Sequence, residues 1–338
     1  MRLHHDMSSS CTGGDDKALQ PPFQAARQTR GHGAGRLLAL MILLGAQAGV
    51  FGHPQAASAH EYWIDPVQPI APLTARLTAD ARVGQFFNGD SLPWLPDAVQ
   101  AAGVIDAMGR RPNARIIGDM PMFDAASRVE GAQILFLQTR PETLTWDSWE
   151  KFLAFLEEKK LHAVAELHRR RGLPDSGFTE HYVRHAKALL WRGHAASPPT
   201  MPDTGKPPAD RVLGLKLELV ALDNPFNLPR RKGMLRIRLL WQGQPLAKTD
   251  VQVFSRPAGQ RGEEARPRHF TSNVEGIVSI PVEAGRDYLV NAVHMEPALP
   301  SSGKAAGKAA AERAVNDMPV WVSHWASLTF TTRTGSGH

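Results

Sequence analysis

Cysteine is nearly absent from this sequence, and its scarcity limits the chemistry that the protein can perform. The chain has 338 residues and one cysteine, Cys11. Cys11 precedes the segment that we interpret below as an export signal, so the mature chain is predicted to have none. That excludes a disulfide, a thiolate nucleophile and a thiolate metal ligand. Any metal ion must be bound by histidine, aspartate, glutamate or a free amine.

Long apolar runs are also scarce. The sequence LLALMILLGAQAGVF at 37–51 is apolar but shorter than the roughly 20 residues that a membrane-spanning helix needs. Arg30 and Arg36 precede it and Ala57-Ser58-Ala59 follows it, which is typical of a secretory signal peptide. We therefore interpret 1–59 as a signal peptide with an upstream extension. The mature chain is predicted to be exported and not to span a membrane.

Concentrated charge and common catalytic motifs are both missing. The chain has 39 Lys and Arg against 33 Asp and Glu, a net charge of +6. This mild excess is spread over the chain and does not form the dense basic patch that nucleic-acid binding requires. The sequence contains no G-x-S-x-G, no P-loop and no G-x-G-x-x-G motif. We predict neither a nucleic-acid partner nor an enzymatic activity.

The patterns that are present predict a mainly β protein. Short apolar runs separated by Gly and Pro indicate strands, and from Gly233 onward the pattern is of β type throughout. We predict an N-terminal β domain at 60–222 and a C-terminal β-sandwich domain at 227–332. A Pro-rich loop at 195–211 lies near the end of the first domain.

A helical hairpin is predicted at 145–193, inside the N-terminal β domain. Apolar residues recur at helical spacing between Trp149 and Leu167, and Gly172-Leu173-Pro174 ends that helix. Residues 178–191 are interpreted as the second helix of the hairpin.

His60 would be the first residue of the mature chain. Its α-amine and its imidazole Nδ1 can chelate one metal ion, and an α-amine with a pKa of about 7.7–8.0 is easily deprotonated by a metal. Nitrogen ligands of this kind suit Cu, Ni, Co and Zn. Glu61 and Asp65 add nearby carboxylates. A signal peptidase that happens to cut before a histidine explains the same pattern.

Two further histidines lie on predicted strands near the C-terminus. His294 ends one strand and His324 lies inside the last, so pairing of these strands would bring the two imidazoles together at the end of the sandwich. Strand histidines are more often packed or solvent-facing residues, but we take both as candidate metal ligands alongside His60. His181 and His185 are four apart on the predicted second helix. They lack the glutamate of H-E-x-x-H, and we interpret them as a polar helix face.

Several segments resemble, in order, the DUF4198 family of exported bacterial proteins. This family is often grouped with periplasmic components of nickel and cobalt uptake, the NikM-like proteins. The similar segments are 59–63 (AHEYW), 180–187 (EHYVRHAK), 233–246, 276–281, 288–295 and 325–330. The resemblance implies a periplasmic, mainly β protein with a transthyretin- or immunoglobulin-like C-terminal sandwich and a role near transition-metal uptake.

The resemblance also implies roles for individual residues. Tyr182, Arg184 and Lys187 match the Y-x-R-x-x-K run of the family, and we expect them to be structural, with their charges paired to carboxylates. His185 stands where family members commonly carry an aromatic residue.

Two classes of function remain open at this point. The first is a metal-binding protein that captures Ni²⁺ or Co²⁺ through His60, His294 and His324 and delivers it to a membrane metal-uptake transporter. Nitrogen ligands intrinsically prefer Cu²⁺, so copper handling is a variant of this function. The second is a non-enzymatic periplasmic binding or adhesion module. A copper oxygenase is a third hypothesis, because an N-terminal histidine chelate with a second histidine can also activate oxygen.

Expression with the natural N-terminus should yield a periplasmic product that begins at His60, because the A-S-A sequence directs cleavage after Ala59. Intact mass and N-terminal sequencing check this. A product that begins at another residue would contradict the amine–imidazole chelate.

Overall fold

The protein is mainly β, as the sequence predicts, and two short helices occur in the part of the chain that the structure describes. The computed structural model describes residues 60–193, 209–227, 232–299 and 318–333. The predicted signal peptide and most of the Pro-rich loop lie outside the described residues. No helix within the described ranges is long and apolar enough to cross a membrane.

Within the described ranges, secondary structure runs from Glu61 to Thr331. The helices are α1 (Trp149–Glu158) and α2 (His162–Arg170), with short 3₁₀ turns at Pro96–Ala98 and Pro225–Asn227. The strands are β1 (Glu61–Pro66), β2 (Ile70–Ala71), β3 (Leu77–Gln85), β4 (Asn88–Leu92), β5 (Val99–Asp106), β6 (Gly109–Pro112), β7 (Phe123–Ala125), β8 (Gly131–Thr139), β9 (Glu142–Trp146), β10 (Phe178–Arg192), β11 (Leu217–Ala221), β12 (Lys232–Trp241), β13 (Gln244–Pro245), β14 (Asp250–Pro257), β15 (Arg268–Thr271), β16 (Ile277–Glu283), β17 (Arg286–Pro297) and β18 (Trp321–Thr331).

A ten-stranded sheet forms the centre of the fold. Its order is β15-β14-β17-β18-β10-β8-β5-β6, with β2 and β9 also paired to β10. β10 runs parallel to β18, from Glu180 opposite Trp321 to Ala188 opposite Thr329. β17 is antiparallel to β18 over its whole length. Two four-stranded sheets complete the architecture, one of β1, β3, β4 and β7 and the other of β11, β12, β13 and β16.

The smaller sheets cover opposite faces of the central sheet, because successive side chains on a strand point to opposite sides. On one face, Leu328 of β18 packs in a core with Leu219 of β11. On the other, Ala188 of β10 packs in a core with Ile64 of β1. The helices pack beside β1 on that second face, where they cover Trp325. The result is a layered β-sandwich arrangement.

The prediction of a second helix at 178–191 is wrong, because these residues form β10. The first predicted helix, from Trp149 to Leu167, is also not continuous, because Lys160 adopts a positive φ of 54° and separates α1 from α2. The helical hairpin is therefore α1 and α2 alone, and it is shorter than the predicted 145–193. A central strand covered on both faces carries buried residues on both, so it lacks the polar–apolar alternation that identifies a strand in a sequence. The four-residue spacing of Glu180 and Arg184 then imitates a helix.

The predicted division into domains at 60–222 and 227–332 does not separate the sheets. β10 lies in the first predicted domain and β18 in the second, yet they are neighbours in one sheet. The described residues form one compact unit. Parallel pairing between strands far apart in sequence leaves no pattern in the neighbouring residues. The turn and strand patterns therefore predicted two domains where β10 and β18 share one sheet.

A buried ion pair connects the central sheet to the sheet of β11. The Lys187 ammonium lies 2.7 Å from Asp210 Oδ1 and 3.1 Å from Glu218 Oε1, and these side chains are at most 1% exposed. Glu218 also accepts hydrogen bonds from the backbone N–H groups of 213–215. Lys187 therefore attaches the segment that enters β11 to the face of β10.

Replacing Lys187 with Met should destabilise the protein by about 3–5 kcal/mol, because it leaves two buried carboxylates without their cation. Urea unfolding measures this change. Lys232→Met is the matched control, since Lys232 forms a 3.4 Å surface pair with Glu283 and should change stability by less than about 0.5 kcal/mol. Equal effects of the two substitutions would contradict the role given to Lys187.

Candidate metal-binding site

The structure brings His294 and His324 together. They are directly opposite each other on the antiparallel strands β17 and β18, so their side chains project from the same face. That face is the one covered by the sheet of β11 and β12, since Ala292 and Ala326, two residues away on each strand, lie in the shared core. The two imidazoles thus lie at the end of the sandwich, as the sequence analysis anticipated for paired strands.

Trp241, the last residue of β12, contacts both rings. Its ring centroid lies 4.3 Å from that of His294 and 4.9 Å from that of His324. The Lys216 ammonium lies 5.0 Å from the Trp241 ring centroid. The indole therefore covers the histidine pair from the side of the second sheet.

Glu296 defines the tautomer of His324. One carboxylate oxygen, Oε1, lies 3.3 Å from His324 Nε2 and 2.7 Å from the Lys216 ammonium. A carboxylate accepts hydrogen bonds, so neutral His324 carries its proton on Nε2 and its lone pair on Nδ1. Nδ1 is buried and has no hydrogen-bond partner in the described part of the chain. It is an available metal ligand.

A third histidine, His185, completes what we call the histidine cluster: His185, His294 and His324. Its ring is nearly parallel to that of His324, with centroids 5.9 Å apart. His185 is 2% exposed, and neither ring nitrogen has a hydrogen-bond partner among the described residues. A buried polar group left unpaired costs about 1–3 kcal/mol, so these nitrogens call for a functional explanation.

Sequence analysis missed His185 because it placed this residue on a helix. In β10, His181 and His185 share a face but lie about 13 Å apart along the strand, so they do not form the i, i+4 pair of a helix. A reading of 178–192 with a period of two would have placed His185 beside Lys187 and Leu189, on the face that meets the second sheet.

The cluster is electrically neutral at pH 7. Burial lowers the pKa of His185 to about 3 and that of His324 to about 4, and it also lowers the pKa of His294. Each imidazole therefore has one free lone pair, the form that binds a metal. Within the described ranges, no three His, Cys, Asp or Glu side chains are already arranged to hold a metal ion, so binding here requires side-chain rotation.

His60 does not join the other two predicted ligands. The charges that act on it belong to Glu61, Arg184, Glu158 and Lys159. Arg184 adjoins His185 in β10 and projects from the opposite face, where it lies over the Tyr62 ring. The central sheet thus separates His60 from the histidine cluster. Burial lowers the pKa of His60, and its Nδ1 lacks a hydrogen-bond partner in the described ranges.

A comparison with protein-family models found one family that matches this chain. The profile of DUF4198, a domain of unknown function, matches residues 57–296. The chain belongs to the DUF4198 family. The matched region includes His185, His294 and Glu296 and ends before His324. A comparison with curated proteins found no match to this sequence.

The expected structural roles of the Y-x-R-x-x-K run in this DUF4198 protein are confirmed. Tyr182 donates a hydrogen bond to Glu142 Oε2 at 2.8 Å, and the Arg184 guanidinium lies 3.4 Å from Glu142 Oε1. Lys187 pairs with two carboxylates, as described above.

A buried acid, Glu180, lies on the face opposite the histidine cluster. It accepts hydrogen bonds from Trp146 Nε1 at 2.8 Å and from the Ser323 hydroxyl. Burial raises its pKa to about 7, and these two neutral donors offset only part of that effect. Glu180 is therefore substantially protonated in the folded protein at neutral pH, unlike an exposed glutamate.

This DUF4198 protein should lose stability as pH rises from about 4.5 through about 7, by up to about 3 kcal/mol from Glu180. The folded-state pKa lies above the unfolded one, so unfolding releases a proton over this range. Glu180→Gln cannot ionise and should be more stable than wild type at pH 8, with the difference vanishing near pH 4. Urea unfolding at each pH measures it.

Glu166→Gln is the control for this experiment, because Glu166 is exposed and pairs only with Arg170 at 3.5 Å among its recorded contacts. It should follow the wild-type pH dependence. A Glu180→Gln protein that also follows it would show that Glu180 is ionised in the fold.

Proposed function

We propose that this protein is a periplasmic metal-binding protein that captures a divalent transition metal and delivers it to a membrane metal-uptake transporter. It performs no covalent chemistry in this role. The ion is nickel or cobalt, in keeping with the association of similar proteins with uptake of those metals.

The observation that carries the proposal is the direct opposition of His294 and His324 on β17 and β18. Two neutral imidazoles on adjacent strands supply the nitrogen ligands that suit Ni²⁺, Co²⁺, Cu²⁺ and Zn²⁺. Trp241 covers them, and His294 keeps partial exposure at the end of the sandwich. An ion could therefore enter from solvent and leave again, as delivery requires.

His60 has a separate place in this proposal. If the mature chain begins at His60, its amine and Nδ1 form a second chelate on the other face of the central sheet. Capture at one site does not require the other, because the two sites share no side chain. Copper handling remains a variant of the proposal, since nitrogen sites bind Cu²⁺ more tightly than Ni²⁺.

Metal titration of the purified periplasmic protein tests the proposal. Calorimetry with Ni²⁺, Co²⁺ and Cu²⁺ should detect a site that the double variant His294→Gln/His324→Gln weakens by more than about a hundredfold, since both nitrogen ligands are removed. His60→Gln should leave that site unchanged. Metal analysis of the protein as purified identifies the ion.

His162→Gln is the matched control, because His162 is exposed and lies 3.2 Å from Glu157 on the helical hairpin. It should bind metal as wild type does. Thermal unfolding without metal verifies that each variant folds. Wild-type protein that takes up no metal, or a double variant that binds as tightly as wild type, would refute the proposal.

One surface feature favours the alternative of a binding module. Leu95, Ile116, Ile117 and Met120 are 44–74% exposed. Hydrogen bonds between Trp94 and the 118–119 backbone hold their two loops together, so the four exposed apolar side chains lie on neighbouring loops. This alternative predicts no stoichiometric metal, and it predicts a partner whose binding is lost in Ile116→Asp/Ile117→Asp.

A further inference from the structure

The histidine cluster contains three buried nitrogens without a hydrogen-bond partner in the described ranges, and two of them belong to His185, outside the opposed pair of His294 and His324. His185 has two buried nitrogens without hydrogen-bond partners in the described ranges, and His324 has one, Nδ1. A structural histidine in a core normally donates or accepts at least one hydrogen bond. His168 does both here, since one ring nitrogen contacts Pro174 O at 2.9 Å and the other accepts from Trp321 Nε1 at 3.0 Å.

The separation of the rings is short enough for a shared ion, provided that the rings, now nearly parallel, rotate so that their in-plane lone pairs converge. Imidazole nitrogen binds transition metals at about 2.0–2.1 Å, so two rings on one ion have centres roughly 5–6 Å apart. The centroids of His185 and His324 are 5.9 Å apart. His294 comes to the same place from β17, directly opposite His324.

Glu296 occupies the position of an outer carboxylate. Metal-binding histidines commonly donate their second N–H to a carboxylate, which fixes the tautomer and the ring orientation. Glu296 Oε1 accepts from His324 Nε2 at 3.3 Å and from Lys216 at 2.7 Å. Because Lys216 already neutralises this carboxylate, Glu296 orients His324 and does not coordinate the metal.

We propose that His185 is the third imidazole ligand of the site and that Glu296 acts as a positioning residue that directs His324 Nδ1 toward the ion. This inference rests on the proposed function and deepens it. The site would take a divalent transition metal of borderline softness through three neutral nitrogens, with a remaining position open to solvent or to an acceptor protein.

Cobalt titration tests the assignment, because the visible spectrum of Co²⁺ reports the number and type of its ligands. The mature chain would carry one extra alanine before His60, which blocks the amine chelate. Wild type should bind one Co²⁺. His185→Phe should bind it at least tenfold more weakly and with a different spectrum, because one nitrogen is lost.

The matched control is His162→Phe, which makes the same change at an exposed histidine of the helical hairpin, outside the cluster. It should bind Co²⁺ as wild type does. Without metal, His185→Phe should be at least as stable as wild type, because phenylalanine removes two unpaired buried nitrogens. This second measurement separates loss of a ligand from loss of folding.

Glu296→Gln tests the positioning role. It should weaken Co²⁺ binding by about 10–100-fold while keeping the wild-type spectrum, because the ligands are unchanged. A changed ligand count in Glu296→Gln would make Glu296 a ligand and overturn that role. Wild-type affinity and spectrum in His185→Phe would overturn the third ligand and leave the proposed function intact. No Co²⁺ binding by wild type would overturn both.

Discussion

The parallel pairing of β10 with β18 is the contact on which the rest of the structure depends. It joins the strands before and after the Pro-rich loop into one sheet. Because β10 is covered on both faces, its consecutive side chains serve different layers. Arg184 and the buried Glu180 face β1 and the helices, whereas His185 and Lys187 face the sheet of β11. The separation of His60 from the histidine cluster follows directly from this arrangement.

The central sheet is covered on both faces, so several charged side chains are buried, and most of them form ion pairs. Lys159, at the end of α1, lies 2.5 Å from Glu61 Oε1 and 3.1 Å from Gln252 Oε1, which attaches the helices to β1 and β14. Asp65 lies about 3 Å from the guanidiniums of Arg82, Arg256 and Arg261. His185 differs from these groups because neither of its buried nitrogens has a hydrogen bond or an ion pair within the described ranges, which is why the histidine cluster supports a ligand site better than composition does.

The sequence predicts some of the contacts among the candidate histidines and misses others. His294 and His324 ended up adjacent because two strands near each other in sequence form an antiparallel pair, which local patterns can indicate. His185 reaches them only through a parallel contact with a strand about 140 residues away. β10 was predicted to be a helix because it lacks the alternation of a half-buried strand, and a long-range contact of this kind leaves no local trace.

The sequence by itself determined the β character, the helical content after Trp149 and the scarcity of cysteine, which disfavours thiolate ligands in any metal site. These properties depend on composition and on short-range periodicity. The tertiary structure decided which side of the central sheet each side chain occupies, and therefore which histidines meet. Strand register and sheet order set that outcome, since a shift of one residue moves every side chain to the opposite face.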